Sequence, residues 1–219
     1  MNKPRLAPIV PVLALIAAGA QAAPVFTDWT AFNSATDIAQ GTLGGTGVTL
    51  TGTALQSADT NGTSTFFSTS QFTPALPTSD YIEIVGFAST PISSYQINFT
   101  QAVTNPLLHL ASLASVLTFS GINPELVSGD ANFLVSGNTI SGQIGTSDSN
   151  GTVRLPGTYT SISFTANFVG FVAGSRDGIA VQVGAEPSTP SVPEPASLAL
   201  LLTAAAAGIA GSRITTRRR

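Results

Sequence analysis

Ser161-Ile162-Ser163-Phe164-Thr165-Ala166-Asn167-Phe168 alternates polar and apolar residues without a break. Successive side chains of a strand point to opposite faces, so Ile162, Phe164, Ala166 and Phe168 line one face of one strand. Tyr95, Ile97 and Phe99 repeat the pattern, as do Ile179, Val181 and Val183. Three such faces must cover one another to leave water, which predicts a shared core between sheets. Further short runs at 47–53, 81–87, 107–113, 116–119, 131–135, 139–144 and 151–155 read as strands bounded by Gly, Pro, Asn and Ser. About ten strands at this spacing predict an all-β protein, an antiparallel β-sandwich of jelly-roll-like form.

The connections fit that class. Ser136-Gly137-Asn138 leaves a hairpin-sized gap, and Asn150-Gly151 is a second turn signal. Leu155-Pro156-Gly157-Thr158-Tyr159 imitates a Gram-positive sortase signal, but its fifth residue is Tyr and no apolar run follows, so it reads as a strand end and turn. Segment 41–47 is glycine-rich yet lacks the Gly-Lys-Ser/Thr ending of a phosphate-binding loop, and reads as a flexible connector. One short helix is expected, with Asp28 capping residues 29–33.

Charged residues make up 9% of the 219-residue chain and cysteine is absent. Ordinary soluble domains carry about 25% charged residues, so solubility here falls to Ser, Thr, Asn and Gln. Without disulfides the fold must rest on its core and its strand ladders. The stretch of about 160 residues between the two ends suffices for one domain. The net charge of -3 hides an asymmetry: six of the eight cations lie in the end segments, leaving Arg154 and Arg176, and no lysine, in the body. Two cations against eleven acids give that body a formal charge of -9 through Glu194. Such a surface repels phosphate backbones and has little attraction to anionic lipid, which argues against nucleic-acid binding.

Catalytic signatures are sparse, and no enzyme is expected. The single histidine, His109, alternates with Leu108 and Leu110 and reads as a structural strand residue. No Gly-x-Ser-x-Gly elbow or His-Glu-x-x-His helix occurs. A Ser-His-Asp triad assembled in space stays open, because triads are defined by geometry. Asp80 and Glu83 are the nearest paired carboxylates of a glycosidase type, but three residues apart on a strand they face opposite sides. Calcium is the more reasonable ligand for an acidic β-protein, with Asp130, Asp148, Asn150 and Asp177 as candidate oxygen donors, against the plainer reading of solvated loop carboxylates. Asp177 could equally pair with Arg176. Trp29, Tyr81, Tyr95 and Tyr159 are the candidate platforms for a sugar, with core packing as the alternative for each.

The two ends carry addresses. Lys3 and Arg5 precede an apolar stretch over 7–20 that closes on the small-residue site Ala20-Gln21-Ala22, a signal peptide over 1–22 cleaved before Ala23. An uncleaved anchor is the alternative. The body then spans 23–184, and a Pro/Ser/Thr linker covers 185–192. Over 193–219, Pro193-Glu194-Pro195 leads into an Ala-rich apolar helix that ends at Arg213 and at Arg217, Arg218 and Arg219. Prolines keep the acidic segment extended, the apolar run enters the membrane, and the arginines stop transfer on the cytoplasmic side. The run is shorter than the ~20 residues of a comfortable span, which favours a transient transmembrane anchor over a lasting one.

The three-part arrangement of Pro193-Glu194-Pro195, the apolar span 198–210 and the terminal arginines resembles the PEP-CTERM sorting domain of Gram-negative bacteria. The resemblance implies a membrane-embedded exosortase as partner, cutting near the motif. The body, through residues 103–113, 161–164 and 177–183, is more loosely similar to ectodomains found ahead of such tails. That likeness implies a surface or matrix β-sandwich. Together these readings give an exported, exosortase-processed structural protein of the cell surface or extracellular matrix, associated with biofilm or exopolysaccharide. Its precursor is held in the inner membrane, then released to the surface or the medium. The alternative is a carbohydrate-binding β-sandwich module, with or without calcium.

Overall fold

The computed structural model describes residues 23–87, 92–143, 148–168 and 176–186. Within them the chain forms fifteen strands and no helix: β1 (Val25–Phe26), β2 (Asp28–Asn33), β3 (Ile38–Leu43), β4 (Thr46–Gly52), β5 (Leu55–Ser64), β6 (Ser79–Phe87), β7 (Ile92–Thr104), β8 (Pro106–Leu113), β9 (Val116–Phe119), β10 (Glu125–Gly129), β11 (Leu134–Ser136), β12 (Thr139–Ser141), β13 (Ser149–Arg154), β14 (Thr158–Asn167) and β15 (Arg176–Ala185). All pairings are antiparallel. Seven strands form a sheet ordered β10-β13-β8-β15-β6-β5, with β1 beside the end of β15, and eight form a second sheet ordered β11-β12-β9-β14-β7-β4-β3-β2.

The alternating faces read from the sequence meet where expected. Ile162, Phe164, Ala166 and Phe168 on and just after β14, Tyr95, Ile97 and Phe99 on β7, and Ile179, Val181 and Val183 on β15 belong to one buried cluster drawn from both sheets. The result is sandwich-like, with the apolar faces turned inward. Thr27 is the corner where the chain passes from one sheet to the other: its N–H and its hydroxyl both donate to Val183 O, at 2.8 and 2.9 Å. The hairpin at Gly137-Asn138 joins Ser136 to its partner Thr139, and Gly137 takes a φ of 55°. Pro156-Gly157 turns between β13 and β14, as the Leu155–Tyr159 segment predicts.

Three expectations are overturned. Residues 29–33 form no helix; they lie in β2 and pair with β3. Trp29 is fully buried there, and its N–H donates to Asp80 Oδ2 at 2.8 Å, so the ladder and the core outweigh the capping signal of Asp28. Segment 41–47 is a hairpin and not a loose connector: Gly41 and Leu43 sit in β3, Thr46 and Gly47 in β4, and Gly44 and Gly45 make the turn with φ of 55° and 89°. Positive φ at both central positions matches the twist of the flanking strands, which is why glycine occupies them. Asn150-Gly151 is not a turn but an irregular step inside β13, where the register shifts between Ser149 and Gly151.

Residues 65–78, between β5 and β6, form a strap over the outer face of the smaller sheet. Phe67 and Phe72 pack edge-on at 5.1 Å and bury Ala111 and Ala180, giving the molecule a second, smaller apolar cluster.

Candidate functional site

The side chains singled out in the sequence are built into the fold one by one. His109 lies on β8, fully buried under the strap. Its Nε2 meets Pro74 O at 2.9 Å, and a carbonyl only accepts, so Nε2 carries the proton. Nδ1 therefore accepts from the Thr152 hydroxyl at 2.8 Å, and that hydroxyl accepts in turn from Thr73 N–H at 3.1 Å. Phe26, Phe67 and Phe72 surround the ring at centroid distances of 4.6, 5.6 and 5.4 Å. Burial drives the imidazole down to about 4, against an ordinary 6.5, although the Pro74 bond pulls the other way. Both ring nitrogens are thus committed to holding the strap, and among the described residues neither meets a serine hydroxyl or a carboxylate.

Asp80 and Glu83 are separated as the strand alternation requires. Asp80 is buried; burial raises its pKa, while the bonds from Trp29 N and Gly62 N oppose that rise. The Gly62 bond is 2.5 Å and holds down an irregular stretch of β5, where the register jumps between Asp59 and Ser64. Glu83 instead accepts from Ser57 Oγ at 2.5 Å. Nearby, Gln182 joins both sheets: its Oε1 accepts from Trp29 Nε1 at 3.0 Å, and its Nε2 donates to Thr27 O and Ser79 Oγ.

Of the oxygen donors proposed for calcium, Asp130 and Asn150 come together. Asp130 Oδ2 accepts from Asn150 N at 2.6 Å and Oδ1 from Asn132 N at 2.9 Å, while Asn150 Oδ1 accepts from Ser112 N at 3.1 Å. These bonds stitch the irregular step of β13 to β8 through Ser112 and to the turn after β10 through Asp130. Asp177 is buried on β15 and accepts from Ala114 N at 3.2 Å. Burial pushes its carboxyl up to about 6; Ser115 and Ala114 oppose this, and the Asp148 charge adds to it. Beside it the Ser115 hydroxyl is buried without a well-formed hydrogen bond. The alternative of an Arg176–Asp177 pair is not realised, because neighbours on a strand point apart: Arg176 is exposed while Asp177 is buried. The ion pairs among the described residues are both made by Arg154, with Glu125 at 3.4 Å and with Glu186. No group of three or more His, Cys, Asp or Glu among the described residues is arranged to hold a metal.

Of the four sugar-platform candidates, Trp29 and Tyr95 are in the core, Tyr159 packs partly buried against it, and Tyr81 is half-buried beside the strap. Tyr95 donates to Val85 O at 2.9 Å, and burial pushes its hydroxyl up to about 12.

What the sequence did not single out is the polar face of the larger sheet. Between the inward residues of β4, β7, β14 and β9, cross-strand partners form two rows: Thr51, Gln96 and Ser163; then Ser94, Thr165 and Thr118. They line a groove of about 810 Å³, walled on one side by the Gly137-Asn138 hairpin, where Asn138 Nδ2 donates to Phe119 O at 2.9 Å. The signal was present as the polar half of the alternation at Ser161-Ile162-Ser163-Phe164-Thr165.

Ala23 is exposed ahead of β1. Ala20, Ala22, Pro193, Glu194, Pro195, Arg213, Arg217, Arg218 and Arg219 lie outside the described residues. The chain matches no protein-family model, and comparison with curated proteins and with solved structures finds no match.

Proposed function

We propose that this chain is an exported structural protein of the cell surface or extracellular matrix, delivered through a cleaved signal peptide and an exosortase-processed C-terminal tail. The observation that carries the reading is the tail itself, in which Pro193-Glu194-Pro195, an apolar run and Arg217-Arg218-Arg219 follow one another in sorting order. The body supports it. His109, Asp80, Asp130 and Asn150 are each engaged in hydrogen bonds that pin strands or the strap. In this role the apolar run holds the precursor at the inner membrane while the acidic hinge is cut. Replacing Arg217, Arg218 and Arg219 with Gln removes the charges that stop transfer. Fractionation of producing cells should then show loss of retention and slower maturation. Unchanged processing counts against the proposal.

A second reading, a carbohydrate-binding module, is favoured by one observation: the groove of hydroxyl and amide side chains across the larger sheet. Calcium dependence belongs to this reading and is tested by repeating the binding measurement with a chelator.

A further inference from the structure

We infer that the groove on the larger sheet binds a neutral polysaccharide chain laid across β4, β7, β14 and β9; this rests on the carbohydrate-binding reading and names its site and ligand class. Three features of the groove point there. Its volume of about 810 Å³ lies within the range of roughly 300–1,000 Å³ that holds small ligands. Its lining carries no carboxylate, amine, guanidinium or imidazole, while the rest of the body is strongly acidic. An anionic polymer is repelled by that surface and finds no cation in the groove. Finally, among the described residues the hydroxyls of Thr51, Thr118 and Thr165 make no internal hydrogen bond, so their donors and acceptors are free for a polyol. Beneath them Tyr95, Phe164 and Phe119 stack at 5.4 and 5.2 Å and hold the rows rigid. Hydrogen bonds to neutral hydroxyls are individually weak, so affinity should come from several sugars of one chain engaged together.

The test is affinity gel electrophoresis of the full chain in detergent, in gels containing dextran, galactomannan, xyloglucan or, as the anionic arm, alginate. The expected result is retardation by at least one neutral polymer and none by alginate. The triple variant T51V/T118V/T165V keeps side-chain shape and strand propensity but removes three hydroxyls. It should weaken retardation about tenfold or more while its unfolding temperature stays near that of the parent. A second variant, Phe66→Ala, removes an exposed ring that meets Tyr81 edge-on at 5.0 Å in a smaller cleft at the strand edge, and should leave binding unchanged. If Phe66→Ala abolishes binding and the triple variant does not, the groove is wrong while the carbohydrate reading survives. If alginate alone retards the chain, the neutral ligand class is wrong. If no polymer retards it, both fall.

Discussion

At the residue scale, the buried titratable groups act as fasteners. His109 illustrates the cost: a buried imidazole must stay neutral, and its two ring nitrogens are satisfied in one tautomer between Thr152 and Pro74. Its folded value of about 4 lies below the unfolded 6.5, so the unfolded chain binds the extra proton, and this contribution to stability is lost as pH falls from 6.5 through 4. Asp177 has the opposite sign. Its folded value of about 6 lies above the unfolded 3.8, so the folded chain holds the extra proton and stability is lost as pH rises from 3.8 through 6. Asp177→Asn fixes the neutral form and removes the second effect alone. The unfolding temperature of the variant relative to the parent should therefore rise between about pH 4 and pH 6 and level off above. A difference that does not change with pH would show that Asp177 does not titrate as its burial implies. Alternation marked His109 as structural, but its partners were illegible in the sequence. Thr152 and Pro74 are 43 and 35 residues away, and only the fold brings them near.

At the scale of elements, strands were legible where apolar residues alternate or run together between turn signals, whether one face is wet, as on β7 and β14, or both are covered, as on β8. Strands β4, β6, β8 and β9 lie close to the expected bounds, and β7 and β14 begin or end several residues beyond the alternating segments that marked them. Strand β5, Leu-Gln-Ser-Ala-Asp-Thr-Asn-Gly-Thr-Ser, was not legible because it lies at a sheet edge, is mostly polar and breaks register midway. Strand β2 was misread because a capping residue before a short segment carries no information about a partner strand ten residues on. The strap at 65–78 had no periodic signal at all, since its order comes from Phe67 and Phe72 docking on the outer sheet face. Phe67→Ala should cost about 3–5 kcal/mol, as for other buried aromatics cut back to Ala. Limited proteolysis should then cut first within 65–78. Cleavage that begins elsewhere would mean that the strap is held by something other than this cluster.

At the scale of the whole molecule, a lysine-free, acidic, disulfide-free, sandwich-like body is joined to two end segments that hold most of the positive charge. The fold follows from the inner faces of the two sheets, and the ligand reading from the outer face of one. The proposed destination follows from the ends. That separation explains why the layered architecture was readable from the chain while the groove was not: polar residues between core positions look alike whether they meet water or a sugar. The most direct measurement is the intact mass of the protein recovered from the membrane, the cell surface and the medium of the producing cell. The account predicts a stable form that begins at Ala23 and ends near Pro193-Glu194-Pro195, without Arg217, Arg218 and Arg219. A stable form that keeps those arginines in every fraction would contradict it.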